Sequence, residues 1–281
     1  MTSPADSSNS SSSLPENSTP SGTAARAPAA ATPQEVLWIH RWTPGLLSLR
    51  VTRDSRFRFT PGHYARLGLP DSSGPTVFRP LSITSAPAEA HLEFFCTLVT
   101  GGAFSSLLDR CRVGDPVQVE KASYGFLTLD ALAPGHDLWL IASGSGLGPY
   151  LSILRDPDVW SAFARIVVVH SVRRAAELAY AEELEHFAQQ RSATTTAARL
   201  HYLPVVTREP GVTALSQRIP ALLADGSLAT ATGLSIDPEH SRVMVCGNPE
   251  MSRELRARLS ERGFRTTRRG VLGQMAFEKY W

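Results

Sequence analysis

The stretch Ser143-Gly144-Ser145-Gly146-Leu147-Gly148-Pro149-Tyr150 carries residue types suited to binding an anion. Glycines alternate with small residues between an apolar run, Leu138-Trp139-Leu140-Ile141-Ala142, and a helix-like segment, Leu151-Ser152-Ile153-Leu154. A strand, a glycine turn and a helix start present backbone N–H groups and the positive end of a helix to a pyrophosphate. Glycine lets phosphate oxygens reach the main chain. The pattern here is G-x-G-x-G-P rather than G-x-G-x-x-G. No acidic residue follows about 20 residues on, where an NAD site carries its ribose partner. Taken alone, the stretch also reads as an ordinary tight turn from strand to helix.

Other residues could supply further chemistry. Arg79-Pro80-Leu81-Ser82, placed after a loop and opening a strand, offers a guanidinium for a diphosphate and a hydroxyl for a flavin ring nitrogen. The plain alternative is a surface arginine beside an unremarkable strand. Arg173 and Arg174 follow the apolar segment Ile166–His170, Thr207 and Arg208 follow His201–Val206, and Arg218 opens the next helix. Ligands sit at the carboxyl ends of parallel strands, and arginine replaces the acidic ribose partner when the 2′-position carries phosphate. These residues would therefore select NADP over NAD; otherwise they are solvated, as Arg256, Arg258 and Arg262 read. Val243-Met244-Val245-Cys246-Gly247-Asn248-Pro249-Glu250-Met251 repeats the strand, small turn and helix arrangement with a thiol at the strand tip. Cys246 faces a pocket or is a buried structural cysteine; no neighbouring histidine marks it as a nucleophile.

The elements that position these groups fall into two kinds. Residues 1–33 are rich in Ser, Pro, Ala and Thr, lack the apolar core of a secretory signal, and read as a disordered tail. From residue 34 to 134, short β-type segments are separated by Thr43-Pro44-Gly45, Thr60-Pro61-Gly62 and Pro70-Asp71-Ser72-Ser73-Gly74, which predicts an antiparallel β-barrel. One short helix, Ser105–Arg110, interrupts it. From residue 135 to 281, strands Leu138–Ala142, Ile166–His170, His201–Val206 and Arg242–Cys246 alternate with helices Tyr150–Leu154, Ala175–Gln190, Arg218–Ala224 and Pro249–Glu261. That order predicts a parallel sheet with helices on both faces, an α/β nucleotide domain. Composition excludes other classes. The net charge of +2 gives no affinity for nucleic acid or membranes, and no apolar run reaches the roughly 20 residues of a membrane span. The chain's 3 cysteines are far apart with no C-x-x-C pair, so no zinc or iron–sulfur site is readable, and their low, odd number fits a reducing cytoplasm.

Together, Leu140 to Leu154, His170-Ser171-Val172-Arg173-Arg174 through Tyr180, Val205-Val206-Thr207-Arg208-Glu209, Arg218-Ile219-Pro220-Ala221-Leu222, Cys246-Gly247-Asn248-Pro249 and the terminal Tyr280-Trp281 resemble the bacterial ferredoxin/flavodoxin–NADP+ reductases of the short enterobacterial type. The resemblance covers roughly residues 35–281. It implies that the barrel holds FAD and that the α/β domain holds NADP(H). On the FAD side it implies Arg79, Pro80, Leu81 and Ser82 at the flavin and its phosphates, with Phe95 at a position that touches the cofactor. Backbone donors at Ala103, Phe104 and Ser105 would meet the pyrophosphate, with Ser145 nearby in the glycine turn. Tyr280 and Trp281 would close over FAD, Trp281 against adenine. On the NADP(H) side it implies Gly144, Gly146 and Gly148 at the dinucleotide, Arg173, Thr207, Arg208 and Arg218 at the 2′-phosphate, and Asn248, Pro249 and Glu250 along the nucleotide. Ser82 and Cys246 would flank the point of hydride transfer.

The chain departs from the family pattern in several places. Leu81 stands where the family has a tyrosine against the flavin, Phe95 lacks a phenol, and Ala103 replaces a lysine. The lost stacking is about 0.5–1.5 kcal/mol, so FAD binding is expected to persist while its potential shifts. Ala276-Phe277-Glu278-Lys279 is similar to the tail of another bacterial subclass, and Phe277 is expected to replace part of the lost ring. The expected activity is hydride exchange between NADP(H) and flavin, coupled to single-electron exchange with ferredoxin or flavodoxin; Arg265, Arg268 and Arg269 could help dock such an acidic carrier. The alternatives are a flavin reductase or oxygenase-reductase component on the same scaffold, and a regulatory subunit that holds FAD without turnover. A cytoplasmic monomer is expected.

Overall fold

The computed structural model describes residues 30–72, 74–192 and 198–279. Strands β1 (Ala31–Thr43), β2 (Leu46–Thr52), β3 (Tyr64–Asp71), β4 (Gly74–Ser82) and β5 (His91–Thr97) precede helix α1 (Ala103–Arg110) and strand β6 (Pro116–Tyr124). They form one antiparallel sheet in the order β4-β3-β6-β1-β2-β5. The long β1 serves two neighbours: Ala31–Glu35 pairs with β6, and the rest with β2. The outer strands meet beyond Ser82, where Ile83 bridges Phe94 and the Thr84 N–H donates to the Glu93 carbonyl at 2.8 Å. The sheet thus closes into a barrel. Its interior follows the period of two: Leu47, Leu49 and Val51 of β2 face Leu67 and Leu69 of β3 and Val117 and Val119 of β6 across one buried cluster. Each such side chain contributes about 1.5–3 kcal/mol of burial.

The second half begins with β7 (Asp137–Ser143), α2 (Gly148–Arg155), α3 (Val159–Ala162), β8 (Arg165–Val172), α4 (Ala181–Ser192) and β9 (Arg199–Val206). It ends with α5 (Ile219–Ala224), α6 (Ser227–Thr232), β10 (Ser241–Gly247), α7 (Pro249–Glu261) and β11 (Met275–Lys279). All pairings are parallel, in the order β11-β10-β7-β8-β9. Alternation divides the sheet between two cores. Leu138, Leu140 and Ala142 pack with Leu151 and Leu154 of α2, Trp160 of α3 and Leu184 of α4. Trp139 and Ile141 pack with Leu222 of α5, Leu228 of α6 and Leu255 of α7. Both faces are covered, as a parallel sheet requires.

Three local expectations change. The arginine–serine motif closes β4 rather than opening a strand, because Val77 and Phe78 already pair with Leu69 and Gly68. Pro80 is tolerated there because β4 is the last strand in the sheet order. Ala31–Pro33, read as part of the tail, belong to β1 and pair with Glu120, Val119 and Gln118. The helix expected from Ala175 is only a 3-10 turn, Ala175–Glu177; the α-helix starts at Ala181, after Tyr180 turns the chain with φ 60. A left-handed non-glycine residue costs about 1–2 kcal/mol, so tertiary contacts must hold Tyr180 there. Finally, Met275–Lys279, which includes the segment likened to a subclass tail, forms a fifth parallel strand.

Candidate active site

The glycine turn lies where the two sheets face each other. It leaves β7 as a 3-10 segment, Gly144–Leu147, and enters α2 with Pro149 in its first turn. Gly144 has φ 54, a backbone state that favours glycine. Gly146 is required for a different reason: a Cβ there would lie 2.5 Å from the Cys246 carbonyl oxygen on β10. His170, fully buried on β8, donates through Nε2 to the Gly144 carbonyl at 3.1 Å. Burial depresses its pKa to about 4, so the ring is neutral at physiological pH and acts as a fixed donor. Across the domain boundary, Ser145 Oγ and Thr97 Oγ1 are 2.9 Å apart. A Cβ on Gly148 would come 3.2 Å from Thr84 Oγ1, 3.6 Å from Ser82 Cβ and 3.8 Å from Phe95 Cβ. The turn is therefore seated on the barrel residues that the sequence singled out.

On the barrel side, Ser82 is 1% exposed and Phe95 equally buried. Leu81 joins the barrel core, while Arg79 is exposed and its guanidinium donates to the Phe78 carbonyl at 2.8 Å. Helix α1 starts at Ala103 with Gly102 as its cap. Its first ladder bond is Ser106 N–H to the Gly102 carbonyl, so the N–H groups of Ala103, Phe104 and Ser105 precede the ladder. Phe104 anchors the helix in the barrel core, and Ser105 Oγ accepts from Val99 N–H at 2.9 Å.

Strands β10 and β11 bring in a group that no sequence motif marked. Cys246 is completely buried, and Glu278 stands opposite it in register. Burial, with the Glu278 charge beside it, pushes the Cys246 thiol well above its ordinary range, so no thiolate forms at neutral pH. Burial raises Glu278 to a pKa of about 7, and its Oε2 is buried without a hydrogen-bond partner. A Cβ on Gly125 of the barrel would lie 3.4 Å from Glu278 Oε1, so this carboxyl spans the gap between the domains. The alternation of β11 was the available signal. Ala276 shares the face of Cys246 and Phe95, so Glu278, two residues on, follows it. Phe277 takes the opposite face: it packs toward the α7 core with the Arg256 guanidinium 4.1 Å over its ring. Phe277, expected to replace part of the lost ring at the flavin, therefore lies on the face of β11 opposite Ala276 and Glu278. Tyr280 and Trp281, expected over FAD, lie outside the described residues.

At the carboxyl ends of β8 and β9, Arg208 N–H donates to the Arg173 carbonyl at 2.9 Å and Thr207 Oγ1 donates to the Val172 carbonyl at 3.1 Å. Arg173, Thr207 and Arg208 are thus brought together, with both arginine side chains exposed. Arg218 is engaged elsewhere: it pairs with Glu254 at 2.9 Å and Glu250 at 3.6 Å, both on α7. Asn248 caps α7, its side chain accepting from Glu250 and Met251 N–H, and Pro249 occupies the first turn. Asn248 N–H in turn donates to Ser143 Oγ at 2.8 Å, which joins the β10 tip to the glycine turn.

An antiparallel barrel that carries an unladdered helix start and packs a buried serine against the glycine turn of a parallel nucleotide sheet defines a two-domain flavin and pyridine-nucleotide oxidoreductase. Comparison with known proteins agrees. Residues 45–127 match the oxidoreductase FAD-binding domain and residues 140–257 the oxidoreductase NAD-binding domain. Ferredoxin–NADP reductase A of Sorangium cellulosum is 40% identical over 251 residues, covering 88% of this chain and 89% of that one. The flavodoxin/ferredoxin–NADP reductase of Escherichia coli is 36% identical over 220 residues, covering 78% and 86%. A crystal structure of a ferredoxin NADP+ reductase from Neisseria gonorrhoeae with bound FAD and NADP superposes with a TM-score of 0.83 at 31% identity, covering 90% of this chain and all of that one. The chain belongs to the ferredoxin/flavodoxin–NADP reductase family.

Proposed function

We propose that this chain is an FAD-dependent reductase that exchanges a hydride with NADP(H) and single electrons with ferredoxin or flavodoxin. The observation that carries this reading is the meeting of the glycine turn of β7, the Ser82 end of β4 and the Cys246–Glu278 pair of β10 and β11. When bound, FAD accepts or donates a hydride and passes its electrons on singly. The residues present fit it: Thr84 Oγ1 is buried without a partner beside Gly148, Glu278 Oε2 likewise awaits a partner, and α1 offers unladdered N–H groups.

The chain's own residues divide the remaining work. Arg79 and the N–H groups of Ala103, Phe104 and Ser105 hold the FAD pyrophosphate. Ser82 and Phe95 face the ring system, and Leu81 leaves that face without the family's aromatic stack. Gly144 leaves the space through which the NADP(H) pyrophosphate reaches the main chain, while Gly146 and Gly148 shape the dinucleotide turn by letting it seat against β10 and the barrel. Arg173, Thr207 and Arg208 hold the 2′-phosphate, and Arg218 joins them only by leaving Glu250 and Glu254. The neutral Cys246 thiol packs beside the reacting ring without acting as a nucleophile. Glu278 keeps a proton at its carboxyl up to about pH 7 and can pass it between cleft and solvent.

Rapid-mixing reduction of the FAD-loaded protein by NADPH and by NADH tests the reading, followed by transfer to a ferredoxin and to a flavodoxin. Faster bleaching at lower NADPH concentration, with transfer to either carrier, is expected. A protein that reduces free flavin but neither carrier would be a flavin reductase instead.

A further inference from the structure

Tyr180, whose backbone breaks the expected helix, is the centre of a hydrogen-bond relay that crosses from one domain to the other. The Trp42 indole N–H donates to Ser48 Oγ at 2.9 Å, Ser48 lies 2.5 Å from the Tyr180 hydroxyl, and Tyr180 donates to Glu93 Oε1 at 2.8 Å. Trp42, Ser48 and Glu93 belong to barrel strands β1, β2 and β5. The Tyr180 ring stands edge-on to Phe95 at 5.2 Å and lies 4.8 Å from Trp42. Glu93 is fully buried and also takes Arg50 at 2.7 Å and Arg155 at 3.3 Å. Arg155, at the end of α2, grips Glu183 of α4 at 2.7 Å and donates to the Thr84 carbonyl at 3.0 Å.

The two ends of this relay adjoin the two halves of the site. Upstream of Tyr180, the N–H groups of Arg173 and Arg174 both donate to the Glu177 carboxylate at 2.9 Å, so residues 173–180 form a continuous, internally bonded turn. Arg173 is at one end and Tyr180 at the other. On the barrel, Glu93 precedes Phe95 by one turn of the strand pleat, and its carbonyl takes the N–H of Thr84, just beyond Ser82. We propose that Tyr180 is a positioning residue: its hydroxyl bonds to Glu93 and Ser48 fix the arginine-bearing turn against the strand of Phe95, and so set how the bound dinucleotide is seated against the flavin. This rests on the reductase reading above. The left-handed turn at Tyr180 is the local consequence, since an uninterrupted helix from Ala175 could not deliver the hydroxyl to the barrel in this way.

The relay predicts a separation between rate and affinity. Tyr180→Phe keeps the ring and removes only the hydroxyl. In the FAD-loaded protein its limiting rate of bleaching at saturating NADPH should fall about tenfold or more, as expected when reacting groups are misaligned by a fraction of an ångström to an ångström. Affinity for 2′-phospho-AMP, which carries the phosphate but no nicotinamide, should stay within about twofold, since the arginines are untouched. Amide hydrogen exchange across residues 173–180, measured without nucleotide, should accelerate. Ser48→Ala, which leaves every charge in place, should reproduce the same split to a smaller degree. An unchanged limiting rate in both variants overturns the proposal. So does a loss of 2′-phospho-AMP affinity in step with the rate, which is what a merely structural role would produce. If the parent protein is bleached by neither nucleotide, the reductase reading fails first, and unchanged exchange at 173–180 in Tyr180→Phe would then sink the tether as well.

Discussion

Glu278 and Cys246 lie side by side on parallel strands, and burial at the junction of the two domains raises the pKa of both. Neither strand is near the other in sequence to the barrel residues they approach. The pairing of β11 with β10 puts a carboxyl that titrates near pH 7 and an inert thiol beside the glycine turn, which on its other side meets Ser82.

The pH dependence of Glu278 follows from the sign of its shift. Its folded pKa of about 7 exceeds the unfolded value of about 4.3, so the fold favours the protonated form. Its contribution is complete below the unfolded value and is lost as pH rises through about 7. Glu278→Gln should therefore stabilise the protein at pH 8.5 by on the order of 2–3 kcal/mol and change little at pH 4. Denaturant unfolding at both pH values measures this; equal effects at the two would mean that the carboxyl is not buried as described.

Glu93 has the opposite sign. Burial alone would raise it, but Arg155, together with bonds from Arg50 and Tyr180, outweighs burial and lowers its pKa. Its stabilisation is present above the unfolded value of about 4.3 and is lost as pH falls through the lower folded value. Glu93→Ala leaves Arg155 its pair with Glu183 but removes the buried acceptor of Arg50 and Tyr180, and should cost about 1.5–3 kcal/mol at pH 7 and much less in strong acid. A pH-independent loss in unfolding experiments would assign the cost to packing alone.

The glycines of the turn should differ in kind. Gly144→Ala meets open space and pays only for φ 54, about 1 kcal/mol. Gly146→Ala drives a methyl into the Cys246 carbonyl and should cost about 1–3 kcal/mol through displacement of β10. It should also weaken NADPH binding more. Unfolding midpoints and nucleotide titration of the two variants decide the order.

Removing the charge of Arg173 or Arg208 should discriminate between nucleotides. A charged hydrogen bond contributes about 1.5–3 kcal/mol, so either alanine variant should raise KM for NADPH roughly ten- to a hundredfold and leave KM for NADH nearly unchanged. Steady-state kinetics with both nucleotides checks this. Equal effects would remove the pair from the 2′-phosphate site.

A chain that starts at Ala30 retains the pairing of Ala31–Glu35 with β6, whereas one that starts at Val36 loses it. The first should melt like the full-length protein and the second several degrees lower, by about 1 kcal/mol or more of lost packing and pairing. Coincident melting curves would show that this part of β1 is dispensable.

The local pattern in the chain determined much of this protein. Period-two runs such as Leu47-Ser48-Leu49-Arg50-Val51, apolar strands such as Leu138–Ala142 and the turn Gly144–Gly148 each specify an element through contacts within a few residues. The sequence therefore revealed a barrel followed by a nucleotide sheet, and it marked Ser82, Gly146, Arg173 and Arg208, whose segments the fold places at strand ends. Tertiary structure decided the rest, because those features depend on partners far along the chain. Tyr180 leaves a helix-compatible segment for Ser48 and Glu93, at separations of 132 and 87 residues. Arg218 is drawn to α7 by Glu254, 36 residues away. Phe277 and Glu278, adjacent in sequence, take opposite faces because β11 joins β10, and the register of that pairing decides which of the two lies beside Cys246.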